Sequence, residues 1–185
     1  VRPPLPAGHT CKRCKKNTPI NVFLSPFPYR HPLVSRMIHQ FKYHRIRLLC
    51  PIMGDLLVSY LHYYHIPFPP HLLIMPIPLH PRKERVRGFN QAMLLAHELS
   101  QQLSLPIDGH ALVRITSTPP QTTLTAKSRH QNVHNVFSLR NARVVRGKNI
   151  MLVDDVKTTG ATLKQAASIL KKAGAKQIWA ITFAH

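Results

Sequence analysis

Acidic residues are scarce in this chain, which has Asp+Glu 6 against Lys+Arg 26 and a formal net charge of +20, with 13 His besides. A field of that sign favours polyanionic partners: nucleic acid, phosphorylated metabolites or an anionic membrane surface. A basic surface that serves only solubility is the alternative. Because acids are so few, the place where two of them adjoin, Asp154 and Asp155, is the first candidate for a specific site.

Long apolar runs and a secretion signal are also missing. No run of about 18 apolar residues occurs, so no membrane-spanning helix is expected. Residues 1–10, which begin with Val rather than Met, lack the apolar core of a signal peptide. The three cysteines, Cys11, Cys14 and Cys50, are an odd number, and two form a C-x-x-C pair, which argues against a disulfide framework. We therefore expect a reducing, cytoplasmic location.

Glycine is sparse as well. No two of the seven glycines are closer than thirteen positions, which excludes the G-x-G-x-x-G fingerprint of dinucleotide-binding domains. The G-x-x-x-x-G-K-[ST] sequence of a phosphate-binding P-loop is absent too. Any phosphate site must therefore be built in another way.

Hydrophobic periodicity predicts one α/β domain with a small appendage. Residues 1–30 are rich in proline and are predicted to be an irregular appendage, followed by a domain at 31–185. Helices are expected at 33–42, 51–64, 89–105 and 160–174, and strands at 71–78, 111–115, 149–155 and 176–185. This alternation predicts a parallel sheet with helices on both faces. The helix at 51–64 is apolar nearly all round and is predicted to be buried.

Two further segments are predicted to be loops. Residues 80–88 are strongly basic and follow a predicted strand. Residues 116–137 are polar and long for a simple connection, and long loops in compact domains are often functional lids.

The segment IMLVDDVKTTGATLKQAA, at 150–167, carries the acidic pair on a strand, then a turn, then a helix. Ligands of open α/β sheets bind at the carboxyl ends of the strands. A helix N-terminus attracts anions, and Gly160 allows close approach of the backbone. Carboxylates accept hydrogen bonds from hydroxyls or hold a divalent cation. A sugar phosphate would use both halves of this segment.

Two other interpretations of the segment can be weighed. A phospho-acceptor receiver domain also ends a strand in Asp-Asp, but it needs most of a domain downstream, and only 30 residues follow Asp155. An ordinary strand-to-helix turn with Asp and Thr as caps is the other alternative.

The motif IMLVDDVKTTGAT resembles the PRPP-binding motif of type I phosphoribosyltransferases, where PRPP is 5-phosphoribosyl-1-pyrophosphate. The segments at 38–44 (IHQFKYH), 75–100 and 116–137 resemble the ComF/GntX family, and the pair CKRC resembles half of its N-terminal zinc knuckle. The resemblance covers nearly the whole chain from Cys11. It implies a type I phosphoribosyltransferase fold, a twisted and mainly parallel sheet, with a partial zinc-knuckle appendage.

The resemblance also implies roles for the motif residues. Asp154 and Asp155 would be catalytic, facing the ribose 2′- and 3′-hydroxyls and stabilising positive charge on the ring. The 5′-phosphate would be held by Lys157, Thr158, Thr159, Gly160, Ala161 and Thr162.

Cations for the departing pyrophosphate would come from the basic segment after the first predicted strand of the domain. Arginine suits bidentate phosphate contacts. The candidates are Arg82, Lys83, Arg85 and Arg87, and a solvated surface loop is the alternative. Mg²⁺ would arrive with the substrate and keep several waters.

The segment at 116–137 could close over the site and shield a reactive cation from water. Its candidate residues are Gln121, Lys127, Arg129 and Asn132, and a surface loop without such a role is the alternative. One departure from the family pattern matters. Many purine-salvage phosphoribosyltransferases have an acid that serves as a base where this chain has Thr158. Either the acceptor needs no such base, or the 116–137 loop supplies one, or no transfer occurs, and no particular nucleobase is named as the acceptor.

Zinc is the other cofactor to consider. Cys11 and Cys14 have the spacing of half a tetrahedral zinc site, and the family usually has a second pair upstream. Structural zinc is therefore a possibility for the intact protein. Cys50, next to Pro51, is interpreted as a small buried apolar residue.

Two functions remain open at this point. The first is transfer of a phosphoribosyl group from PRPP to an unidentified acceptor, linked to competence, DNA uptake or nucleotide metabolism. The second is an accessory protein that binds single-stranded DNA and keeps the PRPP site as a sensor or relic. Single-strand binders use exposed aromatics, whereas the aromatics here fall mostly in core patterns. A homodimer is compatible with either, and the sequence does not fix the oligomeric state.

Overall fold

The computed structural model describes residues 18–43, 48–115 and 136–185. Residues 1–17 of the predicted appendage lie outside these ranges. Six predicted site residues lie outside them as well, and their roles stay predictions: Cys11, Cys14, Gln121, Lys127, Arg129 and Asn132.

Most of the strands form one parallel sheet. The described ranges contain β1 (Val22–Leu24), β2 (Leu72–Pro76), β3 (Leu112–Arg114), β4 (Phe137–Leu139), β5 (Asn149–Val156) and β6 (Gln177–Ala184). Four strands pair in parallel in the order β1–β6–β5–β2, whereas β3 and β4 form a separate antiparallel ribbon. The predicted α/β class with a mainly parallel sheet is confirmed.

Helices cover both faces of this sheet, as predicted. They are α1 (Pro32–Tyr43), α2 (Leu49–Tyr63), α3 (Pro81–Arg87), α4 (Gln91–Leu103) and α5 (Ala161–Lys172), with a 3₁₀ helix at Ala142–Val144. The side chains of β5 alternate between two cores. Met151 and Val153 pack with residues of α1, α2 and α4, whereas Ile150 and Leu152 pack with residues of α5 and the ribbon.

The expectation of a basic loop at 80–88 is wrong, because Pro81–Arg87 form α3. The His80 side chain accepts a hydrogen bond from the Arg82 N–H at 3.2 Å, and Pro81 stands in the first turn. Gly88 ends the helix with φ of 87°. These are ordinary start and stop signals, which the dense charge of the segment obscured.

Two strand expectations are wrong as well. Val22–Leu24, within the segment predicted to be irregular, is an edge strand whose Phe23 lies opposite Ala180 of β6. The predicted strand at 111–115 forms, but it does not join the parallel sheet, because β3 pairs with β4. Three-residue strands are too short to show the alternation that identifies a strand in sequence.

Helix α2 is not buried all round. One face buries Met53 and Leu57, but Ile52, Leu56 and Tyr63 are 51%, 37% and 78% exposed. Burial of Cys50 is confirmed, and it raises the pKa of the thiol to about 12. In the described ranges, no helix is long and apolar enough to cross a membrane.

Candidate functional site

The two adjacent carboxylates leave β5 on opposite faces of the sheet, because successive side chains of a strand point to opposite sides. Asp155 continues the series of Met151 and Val153, toward α1, α2 and α4. Asp154 continues the other series, toward α5 and the ribbon. The N–H of Asp155 donates to Oδ1 of Asp154 at 2.9 Å, which orients that carboxylate. The two carboxylates of the acidic pair therefore face elements on both sides of the sheet.

On the first face, Asp155 forms an ion pair with α1. Nζ of Lys42 lies 2.8 Å from Oδ2 of Asp155, and the two side chains are only 18% and 7% exposed. The position of Lys42 is fixed by Phe41, which is fully buried and whose ring centroid lies 5.7 Å from that of Phe89. Because both charged groups are largely removed from water, they attract each other more strongly than the two charges of a surface ion pair do.

On the second face, Asp154 interacts electrostatically with Arg114 of β3. Burial raises the pKa of Asp154 above its ordinary value, the charge of Asp155 raises it further, and Lys42 acts in the opposite direction. Burial lowers the pKa of Arg114, and the charge of Asp154 counters that effect. The Arg114 guanidinium lies over the Phe137 ring, 5.6 Å from its centroid. The acidic pair thus has a cation near each of its members.

The turn after β5 leads directly to the N-terminus of α5. Gly160 precedes the helix with φ of 77°, a left-handed conformation that favours glycine, and it gives the helix no side-chain cap. Oγ1 of Thr159 accepts a hydrogen bond from the N–H of Ala161 at 3.3 Å. Thr158 and Thr159 are exposed, and Thr162 is half-buried. The structure therefore leaves this helix end accessible to an anion.

Lys157 differs from the other predicted phosphate ligands in that its ammonium group contacts an aromatic ring. Its Nζ lies over the ring of Phe23, 4.8 Å from the centroid, and its N–H donates to the carbonyl of Ala184 at 2.9 Å. Its stem packs against Gly160, where an added Cβ would lie 3.1 Å from Cε of Lys157. In this arrangement, Lys157 fixes the turn through its stem and its backbone.

The basic helix α3 begins soon after β2, at the same edge of the sheet as the acidic pair. Pro76 of β2 lies opposite Val153 of β5, so the two strands end side by side. Of the four predicted pyrophosphate ligands, Arg82, Lys83 and Arg85 are exposed, and only Arg87 is half-buried.

Arg87 connects α3 with the elements around the acidic pair. It donates to Oε1 of Gln91 at 2.7 Å, and its guanidinium lies 5.4 Å from the centroid of the Tyr43 ring. Tyr43 follows Lys42, so Arg87 reaches the end of α1 that also contacts Asp155. Nε2 of Gln91 is buried and has no hydrogen-bond partner within the described part of the chain.

Sequence reasoning missed Lys42 and Arg114 as site residues. Both lie in elements far from the acidic pair in sequence, and periodicity places them only as polar positions of a helix and a strand. Lys42 does lie within the segment IHQFKYH, and the resemblance of that segment to the ComF/GntX family could have indicated this lysine.

The described residues do not fit a resident magnesium ion, and the Mg²⁺ that the family resemblance implies is one that arrives with the substrate. Oδ2 of Asp155 is engaged by Lys42, and Asp154 has a raised pKa. Mg²⁺ requires a near-octahedral set of oxygen ligands. No group of three or more His, Cys, Asp or Glu side chains converges within residues 18–43, 48–115 and 136–185.

Comparison with known proteins agrees with this fold. Residues 90–185 match the family described as the phosphoribosyl transferase domain. The chain is 34% identical over 187 residues to DNA utilization protein YhgH of Salmonella typhi, covering 96% of this chain and 80% of that protein.

Two competence proteins match over shorter segments. Competence protein F of Haemophilus influenzae is 39% identical over 111 residues, covering 58% of this chain and 48% of that protein. Competence protein ComFC of Bacillus subtilis is 36% identical over 104 residues, covering 56% of this chain and 40% of that protein. This chain therefore belongs to the ComF family of proteins with a type I phosphoribosyltransferase-like fold.

Proposed function

We propose that this protein binds PRPP at the end of β5 and transfers its phosphoribosyl group to an acceptor, releasing pyrophosphate. One observation carries the proposal. The same short turn joins two carboxylates, Asp154 and Asp155, to the accessible N-terminus of α5 at Gly160. Carboxylates recognise hydroxyls, and the helix end recognises a phosphate. Ribose 5-phosphate presents both groups a few ångströms apart.

The pyrophosphate half of the ligand faces the neighbouring segment. Since β2 and β5 end side by side, a ligand on the β5–α5 turn extends toward α3. Arg87 is the arginine of α3 that is tied to the site, through Gln91 and Tyr43. We assign Arg87 as the main pyrophosphate contact, with Arg82, Lys83 and Arg85 adding a positive field.

The reaction is a substitution at C1 of the ribose. The bond from C1 to the pyrophosphate oxygen breaks, both electrons leave with pyrophosphate, and an acceptor lone pair forms the new bond to C1. Positive charge develops on the ring, and the two carboxylates stabilise it. Thr158 cannot accept a proton at neutral pH, so the acceptor must lose its proton without help from that position. Mg²⁺ is part of the substrate in this scheme, bound to the pyrophosphate.

Binding of the two halves can be tested separately by calorimetry. Arg87→Ala is expected to weaken pyrophosphate binding about 10- to 150-fold, since a charge-assisted contact contributes roughly 1.5–3 kcal/mol, and to change ribose 5-phosphate binding little. Arg146→Ala is the matched control, because Arg146 is exposed and precedes β5 at the opposite edge of the sheet. Equal losses of both ligands in Arg87→Ala would contradict the assignment.

Transfer itself is tested by pyrophosphate release. The protein is incubated with PRPP, Mg²⁺ and panels of amine and nucleobase acceptors, and pyrophosphate is measured with a coupled assay. We expect acceptor-dependent release that is lost in Asp154→Asn. Tight PRPP binding without release from any acceptor would favour a sensor role.

Exposed tyrosines support a second function, binding of single-stranded DNA. Four of the five tyrosines are exposed: Tyr29, Tyr43, Tyr63 and Tyr64 are 40%, 63%, 78% and 48% accessible. The prediction that aromatics lie mostly in the core is therefore wrong for tyrosine. Bases stack on exposed rings, and Lys and Arg neutralise phosphates. The names DNA utilization protein and competence protein, given to relatives, agree with this function.

Tyr43 is the tyrosine best placed for this role, because Arg87 lies over its ring. Tyr63 and Tyr64 lie in a stretch, 48–80, that has histidines but no Lys or Arg. Anisotropy titration with oligo(dT) at several salt concentrations tests the idea. Tyr43→Ala is expected to weaken binding by about 1–3 kcal/mol, more than Tyr63→Ala does. Binding that is insensitive to salt and to Tyr43 would count against it.

A further inference from the structure

The last turn of α1 places Lys42 in contact with the acidic pair. Nζ of Lys42 lies 2.8 Å from Oδ2 of Asp155, at the inner end of a helix whose Phe41 is fully buried. Lys42 belongs neither to the β5–α5 turn nor to α3. Its contact with Asp155 is therefore a separate contribution of α1 to the site.

Arg114 adds a second cation on the other face of the sheet, where the charge of Asp154 acts on it. The Lys42–Asp155 ion pair is neutral as a whole, and the raised pKa of Asp154 reduces the negative charge that its carboxyl adds. A divalent cation at Asp155 would be repelled by the ammonium of Lys42. At about 4 Å, even a well-screened unit charge contributes about 1 kcal/mol, and more where water is excluded.

We propose that Lys42 is a substrate-positioning residue that takes, at Asp155, the place a divalent metal ion would take. The inference rests on the proposed PRPP site. A lysine ammonium carries three donors. Its contact with Asp155 is an ion pair at 2.8 Å, and its donors can also reach a ribose hydroxyl oxygen that binds beside the carboxylates. Recognition of the ribose then needs no metal ion at the acidic pair, and Mg²⁺ matters only for the pyrophosphate.

A lysine that only holds α1 against the sheet would behave differently. Its loss would lower stability, but it would not create a metal site or change the metal dependence of ligand binding. The test therefore measures metal affinity and metal dependence as well as ligand affinity.

The first arm uses Mn²⁺ alone, followed by electron paramagnetic resonance, and needs no PRPP. Lys42→Gln removes the charge and is expected to bind Mn²⁺ at least tenfold more tightly than wild type. Lys42→Arg keeps the charge and is the matched control, expected to resemble wild type. The gain should vanish in Lys42→Gln/Asp155→Asn. Unchanged Mn²⁺ affinity in Lys42→Gln would overturn the proposal.

The second arm titrates ribose 5-phosphate with EDTA and with Mg²⁺. Wild type is expected to bind equally in both, whereas Lys42→Gln should lose about tenfold in EDTA and recover with Mg²⁺. Ribose 5-phosphate binding by wild type that requires Mg²⁺ would overturn the proposal, and that comparison stands even if Lys42→Gln fails to fold. Absence of ribose 5-phosphate binding in wild type would instead count against the PRPP site, while the Mn²⁺ arm still decides the role of Lys42.

Discussion

Replacing Asp154 by Asn should stabilise the fold while abolishing PRPP binding. Asp154 sits next to Asp155 in a partly buried site, and burial raises its pKa above the ordinary value of 3.8. At a pH between this ordinary value and the folded pKa, Asp154 is protonated in the folded protein but ionised in the unfolded chain. The wild type is therefore progressively destabilised as the pH rises from about 4 toward the folded pKa, above which the penalty levels off. Asn resembles the protonated carboxyl and avoids this penalty.

The size of the effect follows from the linkage. Each unit of pKa shift corresponds to about 1.4 kcal/mol, and we expect a net gain of about 1–2 kcal/mol because Lys42 and partial solvent access stabilise the charged form. For a chain of this size, that gain raises the melting temperature by roughly 2–8 °C.

Thermal unfolding followed by circular dichroism at about pH 4, 6 and 8 is the assay. The two proteins should have similar stability at the lowest pH, and the variant should gain as the pH rises. A difference that does not depend on pH, or a variant that is less stable at about pH 8, would refute the reasoning.

Two further predictions concern the site, and a third concerns the core. PRPP binding by the wild type should tighten as the pH rises through the raised pKa of Asp154, because hydroxyl recognition requires the carboxylate; calorimetry that finds the same affinity at every pH would contradict this. Gly160→Ala should lower the free energy of unfolding, measured in urea, by about 1–2 kcal/mol and weaken ribose 5-phosphate binding, because φ is 77° and an added Cβ would lie 3.1 Å from Cε of Lys157. Gly147→Ala is the control: its φ is 72° and an added Cβ would have no neighbour within 4 Å, so this variant should lose stability but keep its ligand affinity. Burial raises the pKa of the Cys50 thiol to about 12, so the thiol should resist iodoacetamide in the native protein and react after unfolding. Peptide mass spectrometry measures the labelling, and rapid labelling of the native protein would contradict the burial of Cys50.

The main sheet and its helices could be predicted because their elements are long and periodic. The buried run of β5, the amphipathic face of α5 and the glycine before α5 are all visible in sequence. The β5–α5 motif, and with it the position of the acidic pair at the carboxyl edge of the sheet, could therefore be predicted from local sequence alone.

The partners of the acidic pair could not be predicted, because they depend on tertiary packing. Lys42 reaches Asp155 because Phe41 anchors α1 and because Asp155 lies on that face of β5. Arg114, which interacts electrostatically with Asp154, lies on β3, which pairs outside the parallel sheet with β4, a strand of only three residues. Short strands and contacts between distant elements leave no periodic signal. The same limit explains why β1 was missed.

The most direct test of the central claim is a calorimetric titration of PRPP with Mg²⁺, on wild type and on Asp154→Asn/Asp155→Asn. We predict saturable binding by wild type and none by the variant, with both proteins giving the same circular dichroism spectrum. Equal binding by the two proteins would place PRPP elsewhere. Failure of the wild type to bind would mean that the β5–α5 turn is not a PRPP site in this chain.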